Sequence, residues 1–483
     1  MNTRNTLAVL VATAALAGCA QPTPEQEFVN DVTAALGGRS RIEAVKTLTI
    51  EGEGVNFNLG QDMKPEAATQ QFAVTGYTRQ IDIANGRQRV EQTRTPKFAY
   101  FQGPQAQKQI QGLDGDIAFN VNAAGAAARL GTQAELDRRT DLYHHPLKLA
   151  RSLLDPKTTV TLRLAGPIRQ ADINTGSGPV LMLTIDEAGL PLTIQSQTYH
   201  PNLGDVIITT AFADYQDVNG FKLPTRLVGK VDEFTTWELR ATKQTIDGTV
   251  GDLAAPRPAD KPEGLSPPVT AAPNVTVEQL GKGIWFLAGQ SHHSVLVEFS
   301  DHLMLIEAPQ SEARTLAVIA KATATVPGKP LTELVTTHHH FDHTAGMRAA
   351  IAEGMTVITQ AGNREWVQAM ATRAHTLQPD TQAKTKKAAA VEAVDSEKEI
   401  QDATMGLTLY HVAGNPHSDT MLMAYFPRDR ILVEVDAFSP GSAVNPYAAN
   451  LLENIRKRKL RVDRIVPLHG TIGSMADLEK VAR

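Results

Sequence analysis

The sequence predicts an α/β protein built in two parts, a mostly antiparallel β domain followed by a layered α/β sandwich domain. Three observations carry this expectation. Residues 25–247 hold alternating, strand-like segments divided by turn dipeptides, with few helical stretches. Residues 274–483 hold short apolar runs that alternate with stretches of helical period, the pattern of a layered α/β domain. Between them, residues 248–273 carry Pro256, Pro258, Pro262, Pro267, Pro268 and Pro273 with no hydrophobic period, which reads as an extended, semi-stiff linker. The 483 residues also exceed the ~250–300 that one hydrophobic core usually supports.

Residues 1–19 come first. Arg4 precedes an apolar stretch over 7–16, which is too short to span a bilayer and is typical of a secretory signal. It ends in Leu16-Ala17-Gly18-Cys19, which resembles the bacterial lipobox, where cleavage leaves a lipid-modified cysteine as the N-terminus. Cys19 is the only cysteine, and a leftover cysteine in an exported protein needs an explanation that a thioether-linked lipid supplies. The expectation is an exported chain tethered to the membrane through lipidated Cys19, at the periplasmic face of the cell envelope. Ala20 after the cysteine, in place of Asp, resembles the outer-membrane sorting rule of Gram-negative cells.

The β part opens with a helix over 28–36, stopped by Gly37-Gly38. Strands are expected at 48–50, 160–164 and 181–185, and Asn85-Gly86 and Asn219-Gly220 mark hairpin turns. One internal helix over 141–154 presents Leu147, Leu149, Leu153 and Leu154, and the sheet is expected to curve around it. In architecture and location this organisation resembles the half-barrel carriers of the outer-membrane lipoprotein sorting pathway, which hold acyl chains.

In the second part, strands are expected at 284–287, 295–299, 303–306, 331–335, 421–426 and 431–435, and helices at 312–325, 363–374 and 474–481. Directly after the run at 331–335 stand His338, His339, His340, Phe341, Asp342 and His343, the pattern H-x-H-x-D-H. Imidazole and carboxylate at such spacing suit a divalent cation of the zinc, iron or manganese kind, and two ligand groups in one loop suggest two metals side by side.

This motif resembles that of the metallo-β-lactamase superfamily, and the resemblance covers essentially the whole second part. It implies an αβ/βα sandwich, two sheets face to face with helices outside. The superfamily completes its site with three ligands at later strand ends. The matching positions are His417 in Gly414-Asn415-Pro416-His417-Ser418-Asp419-Thr420, Asp436 after the run at 431–435, and His469 in Pro467-Leu468-His469-Gly470. The resemblance thus implies His338, His340 and His417 on one metal, Asp342, His343 and His469 on the other, and Asp436 bridging them. Zinc is the implied metal, with iron or manganese admitted by the oxygen-rich ligand set. Such a pair supplies a bridging hydroxide that attacks a carbonyl or phosphoryl centre. Asp342, the catalytic residue of this scheme, would orient it through a free oxygen and help pass a proton to the leaving group.

A bridging aspartate resembles the glyoxalase II, lactonase, phosphodiesterase and alkylsulfatase branches, whereas true β-lactamases place cysteine or serine there or leave the position unligated. His417-Ser418-Asp419-Thr420 resembles the His-Thr-x-Asp-Asn pattern of genuine β-lactamases, but the bridging Asp436 outweighs this flank, and β-lactam turnover is expected to be minor. Many members carry Asp-x-Gly where this chain has Glu307-Ala308-Pro309, and Glu307 is expected to serve instead as a hydrogen-bond partner to a ligand histidine. Ser291-His292-His293-Ser294 adds a likeness to bacterial lipoprotein-like metallo-hydrolases.

Other residues receive plainer readings. His339 is expected to point away from the metals, and His292 and His293 to be ordinary loop histidines. His411 is expected to be a satisfied structural histidine, and His144 and His145 to serve packing. Residues 384–387 read as a solvated loop within an insertion. Tyr447 is a candidate donor to a substrate carbonyl, as lactonase tyrosines are.

The expected function is dinuclear metal-dependent hydrolysis of an ester, lactone, thioester or amide, with a small-molecule substrate in the cell envelope. A net charge of −5, a pI near 6.3 and 5% aromatic residues provide no basic or stacking footprint for nucleic acid, and favour carbonyl substrates over phosphodiesters. One alternative is an oxidoreductase of the mononuclear-iron sulfur dioxygenase kind, against which the complete set Asp342, His343 and His469 weighs. The other is a lipid-binding envelope module with a non-catalytic metal site, against which a ligand count that leaves a solvent position open weighs.

Overall fold

The computed structural model describes residues 21–65, 70–98, 101, 103–165, 168–257, 264–268 and 272–482. The expected signal segment and Cys19 lie outside the described residues. No helix among the described residues is long and apolar enough to cross a membrane.

Thirteen antiparallel strands among the described residues form one sheet in the first part. The chain enters at the middle with Thr47–Phe57 and walks outward by hairpins to Ala127–Arg129. Helices Thr132–Tyr143 and Pro146–Leu153 then carry it across to the other edge, at Thr159–Ala165. From there it walks back until Phe234–Ile246 pairs with Thr47–Phe57. Asn219 and Gly220, at φ +52° and +81°, make the two-residue turn between Gly204–Val218 and Phe221–Val231, where two positive φ values match the twist of the strands.

Laid flat, a sheet of this width would span roughly 58 Å at ~4.8 Å per strand. Leu113 and Ala118 from one arm nevertheless share a single buried cluster with Ile173 and Leu183 from the other, around Leu147 and Leu149 of Pro146–Leu153. The sheet therefore curls about that helix. The single helix expected over 141–154 is in fact two, broken at His144 and His145. Pro146 has no N–H, and its ring holds His145 extended at φ −123°, ψ 129°, so one helix stops and the next begins with proline in its first turn. The His145 ring accepts from the Leu147 N–H at 3.3 Å. His144 is buried between the Thr210 and Ser196 hydroxyls, at 3.0 and 2.9 Å. The opening helix, Pro24–Ala35, starts earlier than its apolar period suggests, because Thr23 and Gln26 form a capping box around it.

The second part is a four-layer sandwich. A seven-stranded sheet runs in chain order from Thr276–Gly281 to Ala390–Val394, and a six-stranded sheet from Glu397–Gln401 to Gly473–Ser474. Met304 and Ile306 face the second sheet, in one core with Leu422, Val433 and Val466. Leu303 and Leu305 face outward onto Val318 and Ala322 of helix Glu312–Thr325 and Ile351 of Met347–Glu353. On the far side, Leu432 and Ile465 meet Leu451 and Ile455 of Ala448–Lys457. Strands covered on both faces have no polar side to show, which is why Leu303–Ile306 and Ile431–Glu434 read as unbroken apolar runs.

The proline-rich segment has no regular structure where it is described, yet it is packed. Ala255 and Leu265 cover Phe119, and the Ala255 N–H donates to Asp114 at 2.9 Å. The two parts also meet directly. Leu203 and Val206 share a core with Trp366 and Met370, and Arg373 pairs with Asp232.

Burial lowers the His144 imidazole from its ordinary 6.5 to about 4. Between those values the unfolded chain binds a proton that the folded chain refuses, so this contribution is complete above pH 6.5 and is lost as pH falls towards 4. A shift of that size is worth roughly 3 kcal/mol. The urea midpoint of the parent chain is expected to fall across this window, and that of His144→Asn to fall less steeply; equal slopes would refute the assignment.

Candidate metal centre

The metal-ligand candidates sit at the lip of the sandwich, where strands of both sheets end. Leu331–Val335 runs out into Thr336 and Thr337 and then the histidine motif; Asp436 follows Ile431–Glu434, and His469 follows Arg464–Pro467. The two sheets are tied together at this edge by the Leu422 N–H, which donates to the Thr337 carbonyl at 2.7 Å. A short helix, Phe341–Thr344, turns His343 back beneath His338, with ring centroids 4.6 Å apart.

Two groups of side chains converge. His338, His340, His417 and Asp436 each offer a ligand atom within 4.8 Å of the others, and His292, His343 and His469 do the same. Asp436 stands between them. Its Oδ2 lies 3.1 Å from His417 Nε2, 3.0 Å from His343 Nε2 and 3.7 Å from His338 Nε2, while Oδ1 lies 3.1 Å from His469 Nδ1. Asp342 is placed beside the second group, with Oδ2 3.7 Å from His343 Nε2 and 3.2 Å from His292 Nε2.

Whether these residues fit cations is tested by their buried nitrogens. Nε2 of His338 and Nδ1 of His340 are buried and have no hydrogen-bond partner among the described residues, while Nε2 of His343, equally buried, faces the Asp436 carboxylate at 3.0 Å. An unsatisfied buried polar atom costs about 1–3 kcal/mol, so two of them converging beside Asp436 are the mark of ligands. The opposite ring atoms are held. His340 Nε2 meets the Asp62 carbonyl at 2.8 Å, His343 Nδ1 meets Glu307 Oε2 at 2.9 Å, and His338 Nδ1 meets Thr337 Oγ1 at 3.2 Å. A proton fixed on those atoms leaves each inward nitrogen a lone pair. The donor set fits divalent cations.

The electrostatics agree. Burial, together with the His340, His343 and His417 charges, drives the His338 imidazole well below its usual range. Burial works against a charged His343, but Asp436 and Glu307 outweigh it and raise that imidazole well above its usual range. Carboxylates that draw a proton onto His343 would draw a cation to it in the same way. For Asp436, burial pushes the carboxyl up, while His343, His417 and His469 hold it well below the usual carboxylate range.

Glu307 is buried at φ +73°, a left-handed conformation rare outside glycine, and Asp436 has φ +55°. Backbone strain of this kind gathers at functional sites. Glu307 Oε1 accepts from the Thr337 N–H at 2.7 Å, so one carboxylate sets both the backbone entering the motif and the His343 ring.

Several readings change here. His292, expected to be an ordinary loop histidine, is buried and stacks on His469 at 4.1 Å; its partners lie in distant segments, so local sequence carried no sign of it. Asp342 does not keep a free oxygen: Oδ1 accepts from Gln61 Nε2 at 2.6 Å. Gln61 and Asp62 come from the β domain, and sequence reasoning missed both because nothing local ties a polar hairpin loop to a motif hundreds of residues away. His339 turns from the cluster to Thr420, at 3.3 Å, and His411 is engaged by the Asp419 carbonyl at 2.7 Å. His293 holds the Gly289 N–H at 3.2 Å. Tyr447 is buried 5.0 Å from the His417 ring, and burial beside Asp436 pushes its phenol up, so it stays a donor at neutral pH.

No protein-family model matches the chain. Solved structures similar to its second part include the DIM-1 metallo-β-lactamase, at 18% identity over 44% of this chain and 96% of that one, with a TM-score of 0.35. A metallo-β-lactamase from Pontibacter korlensis has 18% identity over 43% and 97%, with a TM-score of 0.33. FIM-1 from Pseudomonas aeruginosa, in a mono-zinc form, has 18% identity over 43% and 93%, with a TM-score of 0.34.

Glu307→Gln is expected to weaken zinc binding about 10–100-fold, the usual cost of losing a partner behind a ligand histidine. An amide cannot accept from both the Thr337 N–H and His343 Nδ1, so the histidine proton is driven onto Nε2, the atom needed for the cation. Calorimetric zinc titration of the variant beside the parent measures this; unchanged affinity would refute the role.

Proposed function

We propose that the chain is a metal-dependent hydrolase of the metallo-β-lactamase superfamily, acting on an ester, lactone, thioester or amide. The reading also places it in the cell envelope, anchored through Cys19. The observation that carries the catalytic part is the convergence of three buried imidazole nitrogens on Asp436, two of them without a hydrogen-bond partner among the described residues.

In this reading His338, His340 and His417 hold one divalent cation, His343, His469 and Asp342 hold a second, and Asp436 lies between; zinc suits the set, and iron or manganese are admitted. Cations bound there would supply Lewis acidity and a water acidic enough to react near neutral pH. The remaining work falls to the protein. Burial pushes the Asp342 carboxyl up, but the hydrogen bond from His292, the His343 charge and Gln61 hold it far below the usual carboxylate range. It is therefore ionised at working pH, and Oδ2, the oxygen on the His343 side, is the one it would offer to the second cation and the water bound there. His292 steadies that oxygen from the His469 side. Tyr447, kept protonated, is placed to donate to a substrate oxygen near His417.

Carbonyl substrates are favoured because a net charge of −5 and a pI near 6.3 give the chain no basic footprint for a polyanion. The test is a panel of a lactone, a thioester, an aryl ester, a phosphodiester and a β-lactam, with zinc, manganese or iron supplied. Turnover of one carbonyl class is expected, falling about 10²–10⁴-fold in Asp342→Ala. Silence across the panel with both metals bound would overturn the substrate assignment, and dioxygen uptake with a persulfide would favour an oxidoreductase.

A further inference from the structure

The loop after strand Thr47–Phe57 leaves the β domain and enters the metal site. The Phe341 N–H donates to the Gly60 carbonyl at 3.1 Å, and the Asp419 N–H to the Met63 carbonyl at 2.9 Å. His340 Nε2 meets the Asp62 carbonyl, and Gln61 Nε2 donates to Asp342 Oδ1. Four consecutive residues thus each bind the histidine motif, one of its side chains, or the His417 loop.

The loop is shaped for this task. Gly60 has φ +74°, and a Cβ there would stand 2.2 Å from the Phe341 ring, so only glycine lets the two backbones approach. The Asp62 carboxylate closes the loop on itself, accepting from the Met63 N–H at 2.7 Å and the Gln70 N–H at 2.8 Å. That closure fixes the Asp62 carbonyl on His340. Beneath the loop, the Asn202 side chain, also from the β domain, donates to the Phe341 carbonyl at 3.1 Å.

We propose that Gln61 is a positioning residue for Asp342, and that the loop 58–65 makes the β domain a fixed wall of the metal site. The inference rests on the metal-dependent reading above. A carboxylate on a single-bond stem can turn either oxygen inward. The amide of Gln61 takes Oδ1, and Oδ2 is left aimed at His343 and His292. An amide does not ionise, so this hold is independent of pH. Through Asp342 it acts on the second cation position, not on the group around His417.

The test is calorimetric zinc titration of the metal-free full chain, with Gln61→Met and Gln61→Glu beside the parent. Met keeps the length and removes the donor; Glu sets a second carboxylate against Asp342. The parent is expected to bind two equivalents. Both variants should bind the first as the parent does and the second about 10–100-fold more weakly, with the metal-free urea midpoint unchanged. Gly60→Ala, which displaces the whole loop and with it the Asp62 carbonyl on His340, should weaken both positions. Parent-like binding of both equivalents by Gln61→Met would overturn the proposal. So would equal weakening of both by Gln61→Met together with a lowered midpoint, since that marks a structural support only. A parent chain that binds no zinc would instead overturn the metal-site reading itself, and the inference with it.

Discussion

At the lip of the sandwich His338 Nε2 and His340 Nδ1 are buried without a hydrogen-bond partner among the described residues, His343 Nε2 faces the Asp436 carboxylate, and most of the local architecture follows from keeping these rings there. Each unpartnered nitrogen costs about 1–3 kcal/mol in lost hydration, so the arrangement survives only if the surroundings leave the rings no other option. The surroundings are two sheets with buried strands, Leu303–Ile306 and Ile431–Glu434 among them. Side chains packed on both faces hold such strands in place. Rigid strand ends then carry the strained residues: Glu307 and Asp436 keep left-handed backbones because their side chains are fixed by His343 and its neighbours. The strain and the unpaired nitrogens are two expressions of one constraint.

The outer atoms of the same rings show how the constraint is met. Glu307 holds His343, Thr337 holds His338, and the Asp62 carbonyl holds His340. Two of these partners belong to the sandwich, and one belongs to the other domain. A ligand histidine whose tautomer is set across a domain boundary requires that boundary to be fixed. Leu203 and Val206 against Trp366 and Met370 supply the apolar contact, and Arg373 with Asp232 the ionic one. The proline-rich segment contributes as well, since Ala255 and Leu265 lie against Phe119.

Part of the sandwich was legible in sequence for the reason that makes it rigid: doubly covered strands are continuous apolar runs, and 303–306 and 422–426 stand out as such. The motif from His338 to His343 was legible because its ligands lie within one turn of chain. The break at His144–His145 carried a local signal in Pro146, which the leucine pattern of 141–154 masked. What could not be read were partners distant in sequence. His292 and Gln61 sit in short polar segments whose composition matches any surface loop, and only the folded chain brings them to Asp342. The pairing of Thr47–Phe57 with Phe234–Ile246, which closes the thirteen-stranded sheet, is equally non-local.

Asp342 gathers these threads. Burial raises the cost of its charge, and three neighbours offset that cost: His292, His343 and Gln61. One belongs to the motif itself, one to a loop of the seven-stranded sheet, and one to the β domain, so the carboxyl is held below its ordinary range only in the assembled chain. Its two oxygens are then not equivalent. Oδ1 is spoken for by an amide that neither takes nor gives up a proton, and Oδ2 looks toward His343 and His292. Whatever this carboxylate binds therefore meets Oδ2, on the His292 side of the site, while the loop 58–65 of the β domain closes the Oδ1 side.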